Sequence, residues 1–247
     1  MPYQPMTVAG VEVFPLRDAV GPMGESIRRP LPEMFPGGCH HDGDWVLHFR
    51  CYLLRDAAGR TVLVDTGIGA DDSPAASWAP VPGELMAELA RVGAAPGDVE
   101  AVIITHLHSD HAGGAVADGA PAFPNAEYVL QRAEIDTASE AVLGHIVRPL
   151  GERIRVVDGD VGLFSGIRVL HTPGHTPGHQ IVRVGELTLT GDLLLHPSQL
   201  ADPKVPYLYD DDPELAARTR IEVLDRVRAE GGLIGTAHFP EPFTRLP

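Results

Sequence analysis

The run Thr105-His106-Leu107-His108-Ser109-Asp110-His111 places four metal-capable side chains within six positions. Farther along, His175, Asp192 and His238 each stand at the end of an apolar stretch. Neutral imidazole and carboxylate are the usual ligands of zinc and of the harder first-row ions. Five histidines and two aspartates suffice for two ions that share one carboxylate. Two ions a few ångströms apart turn a bound water into a hydroxide nucleophile at neutral pH. These residues therefore point to a binuclear metallohydrolase. His106 and His108 can converge on one ion only if the backbone bends between them, and Asp110 and His111 continue that bend. Gly113-Gly114 lets the chain turn sharply away. His175 sits between two Thr-Pro-Gly units, whose proline and glycine fix a rigid loop. His171 and His179 flank that loop and read as structural or supporting histidines. Asp192 ends a strand expected to be buried, where an unpaired carboxylate is costly and a pair of cations removes the cost.

The elements that must position these groups are legible in outline. Ala101-Val102-Ile103-Ile104 is a continuous apolar run, as in a strand buried on both faces, and it leads directly into the histidine cluster. Thr7–Phe14 reads as an opening strand. Cys51–Arg55 and Thr61–Asp65 read as a hairpin around Asp56-Ala57-Ala58-Gly59. Helical spacing covers Glu84–Val92, and a further helix is expected over Ala133–Val147, ending before Pro149. Strands are expected at Glu127–Leu130, Ile154–Val157, Ile167–Leu170, Gln180–Val184, Leu187–Thr190 and Leu233–Gly235. A last helix starts with Asp212 as N-cap and Pro213 in its first turn, and Gly231-Gly232 stops it. Two face-to-face sheets with helices outside satisfy this order, and each ligand then follows a strand. The Pro- and Gly-rich segment of about 20–45 carries Met23, Met34, Phe35 and Trp45 and reads as a lid over the site.

Composition bounds the rest. With 247 residues, the chain fits one domain spanning 1–247. The formal net charge of −15 repels phosphate backbones, so nucleic acid is an unexpected partner. Two cysteines, Cys39 and Cys51, make neither a disulfide framework nor a zinc knuckle. No stretch approaches the roughly 20 apolar residues of a membrane span, and the N-terminus shows no basic region followed by a long apolar run. A cytoplasmic protein, monomer or homodimer, is expected.

Taken together, Thr105–His111 with Gly113-Gly114, Thr172-Pro173-Gly174-His175-Thr176-Pro177-Gly178-His179, Gly191-Asp192 and His238 resemble the metallo-β-lactamase-fold hydrolases. The resemblance runs from the Val64-Asp65-Thr66-Gly67 turn to His238. It implies an α/β (α+β) fold, a four-layer αββα sandwich with its site at the sheet edge. It implies that His106, His108 and His175 hold one metal, that Asp110, His111 and His238 hold the other, and that Asp192 bridges them. Asp65 matches the family's aspartate that orients a ligand imidazole. Two divalent ions are implied, zinc foremost, with iron or manganese used by some members.

Departures narrow the branch. One main lactamase class has cysteine where Asp192 stands. Flavodiiron proteins replace a cluster histidine with glutamate. Glyoxalase II-like thioesterases add a C-terminal region, and nine residues follow His238 here. The nearest architecture is that of the lone-domain lactonases acting on acyl-homoserine lactones, and of the related organophosphate hydrolases. The typical lactonase has a tyrosine three residues after the bridging aspartate, and Leu195 occupies that position here. Tyr207, Tyr209 and His196, with Phe35 and Trp45 of the lid, are the candidate pocket residues. The expected reaction is attack of a metal-bridging hydroxide on a small-molecule ester or lactone with an apolar portion. Asp192 and Asp110 are the catalytic carboxylates, Asp110 passing a proton to the leaving group. A thioesterase or phosphoester hydrolase on the same site is the alternative, and a non-catalytic metal sensor is the alternative of another class.

Overall fold

The computed structural model describes residues 4–40, 43–164 and 166–246. Seven strands form the first sheet: β1 (Met6–Val8), β2 (Val11–Pro22), β3 (Val46–Arg55), β4 (Thr61–Val64), β5 (Val99–Ile103), β8 (Glu127–Gln131) and β9 (Ile154–Val157), hydrogen-bonded in that order. Between β5 and β8 the chain makes a small ribbon of β6 (Val116–Ala117) and β7 (Ala120–Pro121). The second sheet holds β10 (Val161–Phe164), β11 (Ile167–His171), β12 (Gln180–Val184), β13 (Leu187–Leu189), β14 (Leu233–Gly235) and β15 (Phe243–Arg245) in sequence order.

The strand period of two divides the side chains among layers. Tyr52 and Leu54 of β3, Val62 and Val64 of β4, and Ala101 and Ile103 of β5 pack against Val169, Val182, Val184 and Leu189 of the second sheet. Their neighbours Leu53, Leu63 and Val102 face outward, where Leu85, Leu89, Ile146 and Leu150 cover them. On the far side, Ile181 and Ile234 meet Val223, Leu224 and Val227 of the helix Pro213–Ala229. The result is helix, sheet, sheet, helix: the αββα order. No helix among the described residues is long and apolar enough to cross a membrane.

Three expectations need correction. Thr7–Phe14 is not one strand: Ala9 and Gly10, at φ 50° and 80°, fold it into the β1–β2 hairpin, the left-handed pair that a two-residue turn requires. The helix expected over Ala133–Val147 is broken. Its first part is Arg132–Thr137, and Ala138 is extended. Ser139 then caps a new helical stretch by accepting from Val142 N–H at 3.3 Å, and Pro149 is accommodated in the first turn of a short final helix. The lid segment is less irregular than expected, because 20–22 complete β2 and Leu31–Met34 is helical. Residues 41–42 of that segment lie outside the described residues.

β2 carries a register shift between Arg17 and Ala19, a bulge that re-aims the intervening side chain. Asp18 is thereby buried beneath the β4 exit loop, where its oxygens accept from Ile68 N–H (2.7 Å) and Leu85 N–H (2.9 Å). Burial outweighs these donors and pushes its pKa up to about 6. The folded state then holds the Asp18 proton more tightly than the unfolded chain does. This contribution to stability should fall as pH rises from the unfolded value near 4 through about 6, by about 3 kcal/mol in all. Urea midpoints across that range should show this decline in the wild type, and Asp18→Asn should remove it. Parallel pH profiles would rule out the assignment.

Candidate metal centre

Every candidate ligand leaves a strand end at the same edge of the sandwich. β5 is followed by His106 and His108, and the short helix Ser109–Ala112 then presents Asp110 and His111. His175 lies in the loop between β11 and β12, Asp192 in the turn after β13, and His238 beyond β14. The turn at Asp192 needs glycine before it. Gly191 has φ 47°, and a Cβ there would lie 2.9 Å from His179 Nε2.

Two donor sets result. His106, His108, His175 and Asp192 offer atoms that all lie within 4.8 Å of one another, and so do Asp110, His111 and His238. In the first set, His108 Nδ1 is 2.9 Å from His106 Nε2 and 3.0 Å from His175 Nε2. In the second, His111 Nε2 and His238 Nε2 are 3.3 Å apart. Ligands at zinc–nitrogen distances of about 2.0–2.1 Å in a tetrahedron stand roughly 3.3 Å from one another. Asp192 stands between the sets. Its Oδ1 is 3.0 Å from both His111 Nε2 and His238 Nε2, and its Oδ2 is 3.3 Å from His175 Nε2 and 3.7 Å from His106 Nε2.

The outer partners fix which ring nitrogen faces inward. His111 Nδ1 donates to Asp65 Oδ2 at 2.8 Å, His175 Nδ1 to Asp210 Oδ1 at 2.9 Å, and His238 Nδ1 to the His48 carbonyl at 2.9 Å. Thr105 gives its hydroxyl proton to Asp65 (2.9 Å), so its oxygen accepts from His106 Nδ1 at 3.1 Å. Each of these four rings therefore turns the lone pair of Nε2 into the site, as metal ligation requires. Asp65 itself sits at φ 61°, a left-handed conformation that aspartate tolerates better than most residues. His179 accepts from Asp192 N–H at 3.1 Å and holds the turn behind the carboxylate.

A pair of divalent cations fits these residues. Asp192 Oδ1 is buried with the Nε2 atoms of His111 and His238 each 3.0 Å away, a costly crowding of buried polar atoms that a cation among them relieves. Burial opposes the charged form of His106, His108, His111 and His175. At His106 it prevails, aided by the neighbouring imidazoles, and holds the pKa well below the ordinary range; His108 falls to about 3 for the same reasons. At His111, Asp192, Asp110 and Asp65 outweigh burial and hold the pKa well above the ordinary value. His175, beside Asp192 and Asp210, rises to about 9. Burial pushes Asp192 up, but His111 and His238 overcome it and hold it well below the usual carboxylate range. Without cations, protons on His111 and His175 balance the carboxylates, and ligation would displace them.

Above the donors opens a cavity of about 230 Å³. Asp110, His108, His175, Asp192 and His238 form its polar floor, and Met23, Ile27, Leu47, Trp78 and Leu195 its apolar walls. Of the pocket residues expected from sequence, Tyr207 and Tyr209 line the cavity, whereas Phe35, Trp45 and His196 do not. Those three stack behind it. The Phe35 ring lies 5.3 Å from Tyr207 and 4.9 Å from His196, and Trp45 packs edge-on to His238 at 6.3 Å. The lid is tied down by Tyr209 O–H to the Ile27 carbonyl (2.7 Å) and Leu208 N–H to the Met34 carbonyl (2.9 Å).

Sequence reasoning missed Asp210, Thr105, Glu134 and Trp78. Glu134 is buried and accepts from Leu107 N–H (2.8 Å), Thr176 O–H (2.7 Å) and Gly178 N–H (3.0 Å), joining the two principal ligand loops. Trp78 donates from Nε1 to Ser109 Oγ at 3.0 Å.

A metallo-beta-lactamase superfamily model matches residues 50–238. An N-acyl homoserine lactonase from Bacillus sp. is 36% identical over 160 residues, covering 59% of this chain and 61% of that protein. An N-acyl homoserine lactonase from Bacillus thuringiensis is 30% identical over 213 residues, 76% of this chain and 80% of the other. Among solved structures, an N-acyl homoserine lactone hydrolase with N-hexanoyl-L-homoserine at its catalytic metal centre aligns with a TM-score of 0.72 at 26% identity, over 94% of each chain. AidC, a dizinc quorum-quenching lactonase, aligns with a TM-score of 0.81 over 99% of this chain and 96% of its own. At 21% identity that likeness is one of fold.

Proposed function

We propose that this chain, which belongs to the metallo-beta-lactamase superfamily and is a metal-dependent hydrolase, opens the ring ester of N-acyl homoserine lactones. The observation that carries this reading is Asp192 set between two donor sets on the floor of an apolar-walled cavity. An acyl lactone has one polar ring for that floor and one apolar tail for those walls, and the lactonase relatives support the choice.

His106, His108, His175 and Asp192 Oδ2 would hold one ion, and Asp110, His111, His238 and Asp192 Oδ1 the other. Zinc suits this nitrogen and oxygen set. When bound, such ions supply Lewis-acid polarisation of a carbonyl and acidify water. Asp192 contributes the negative charge that lets both sites form side by side. Asp110, on the cavity floor, carries the proton to the alkoxide leaving the ring. Met23, Ile27, Leu47 and Trp78 seat the acyl tail and keep water from it. Both cysteines are buried free thiols, in keeping with the reducing cytoplasm in which we place the protein.

Leu195 cannot donate a hydrogen bond to the substrate, and the Tyr209 hydroxyl is spent on the Ile27 carbonyl. The Tyr207 hydroxyl has no partner among the described residues. Burial and the nearby charges of Asp192 and Asp110 hold its pKa well above the ordinary phenol value. Tyr207 is thus a proton-bearing phenol at the cavity wall, and it donates to the lactone carbonyl as negative charge develops there.

The test is a panel of acyl lactones, aryl esters, thioesters and phosphotriesters, assayed on metal-quantified protein beside Tyr207→Phe. Acyl lactones should be turned over best, with kcat in Tyr207→Phe lowered by roughly 10²-fold and KM changed much less. A phosphotriester or thioester turned over faster than every lactone would displace the substrate reading. A Tyr207→Phe enzyme of undiminished kcat would displace the role of the phenol.

A further inference from the structure

Arg220 is among the largest fully buried side chains, at 1% exposure, on the helix Pro213–Ala229. Burying a guanidinium is costly, and an apolar side chain of similar volume often docks a helix as well or better. This helix already has Val223, Leu224 and Val227 to hold it against the second sheet. What only a guanidinium provides here is its set of contacts. Nε donates to the Leu193 carbonyl at 2.7 Å, next in sequence to Asp192, and Nη1 donates to the Pro203 and Val205 carbonyls, both at 2.9 Å. Nη2 lies 3.7 Å from Asp210 Oδ2.

Asp210 passes these constraints on in two directions. Oδ1 accepts from His175 Nδ1 at 2.9 Å and Oδ2 from Tyr207 N–H at 3.1 Å. The crevice between Thr172, His175, Asp192 and Arg220 has no room for a water while the guanidinium fills it. One cation therefore braces the turn carrying Asp192, the carboxylate orienting His175, and the 203–210 loop carrying Tyr207.

We propose that Arg220 is a positioning residue that sets the affinity of the His106–His108–His175–Asp192 metal position through Asp210, and in the same act fixes the Tyr207 wall of the cavity. This rests on the metal-site reading but not on the identity of the substrate. The guanidinium neutralises Asp210 from the side away from His175, so the imidazole keeps a charged acceptor behind it without an uncompensated buried carboxylate. Partners of ligating histidines typically change metal affinity by about 10–100-fold when removed.

The experiment is zinc titration against a competing chelator for the wild type, Arg220→Met, Asp210→Asn and the double variant, with circular dichroism as the check on folding. Each single variant should bind one of its two zinc ions roughly 10–100-fold more weakly. The double variant should be little worse than the weaker single, because both act along one route. For the best substrate, kcat should fall in Arg220→Met more than KM rises, the pattern expected when Tyr207 is displaced. A folded Arg220→Met with wild-type zinc affinity overturns the proposal, as do losses that multiply in the double variant. If Arg220→Met does not fold, Arg220→Lys and Asp210→Asn decide: wild-type zinc affinity in both overturns it, and weakening in both supports it. A wild type that binds two zinc ions yet opens no lactone would remove the substrate reading and leave this one standing.

Discussion

Asp192→Ala is expected to hold at most one divalent metal ion per chain and to lose on the order of 10³-fold or more in kcat/KM. The two oxygens of this carboxylate serve different sets, Oδ1 at 3.0 Å from His111 and His238, Oδ2 at 3.3 Å from His175. Alanine removes charge from both positions at once, whereas His175→Ala removes a donor from one. Asp192→Asn keeps the shape and loses the charge, so it should resemble alanine rather than the wild type. Elemental analysis and turnover on the same preparations test this. Two tightly held ions with wild-type turnover in either Asp192 variant would sink the bridging role.

Glu134→Ala should be the most destabilising single change outside the hydrophobic core, at about 3–5 kcal/mol. The deletion would orphan two buried amides, Leu107 N–H and Gly178 N–H, together with the Thr176 hydroxyl. Glu134→Gln retains an acceptor but presents a donor where one of these groups needs an oxygen, so it should fall between. Urea unfolding of the metal-free proteins measures the effect without any contribution from ligation. A loss under about 1 kcal/mol would mean that the two loops hold themselves in place. Zinc affinity should fall as well, because one loop carries His106 and His108 and the other His175.

The order of elements and the gathering of the ligands at one edge were readable because each ligand follows an apolar strand within a compact motif. The supporting groups were not. Asp210 sits in an acidic run whose visible signal is the N-cap at Asp212, which accepts from Leu215 N–H at 2.9 Å. Glu134 is an ordinary acidic residue of a short helix, and only tertiary contact with Leu107 and Gly178 marks it out. The break after Thr137 had a local signal in Ser139, a good N-cap residue inside an otherwise helical pattern. The pocket was the least legible part. Phe35, Trp45 and His196 have the chemistry of substrate contacts, yet they are drawn into the stack behind Tyr207. Met23 and Ile27 of the lid, and Trp78 of the loop after β4, face the space because of how these segments fold over the site, which local sequence does not encode.

Each donor set takes ligands from loops of both sheets. His108 and His175 are 67 positions apart, and His111 and His238 are 127 apart. An ion held by either pair is thus a cross-link between the two halves of the sandwich. A covalent link closing a loop of about 100 residues restricts the unfolded chain by nearly 5 kcal/mol in the chain-entropy model. Ligation that discriminates against the unfolded state acts in the same direction. The ions that serve chemistry would then also staple the architecture. Scarcity of metal would not leave an idle but intact enzyme; it would leave a looser one, more open to proteolysis, so that the amount of protein in the cell follows the metal supply.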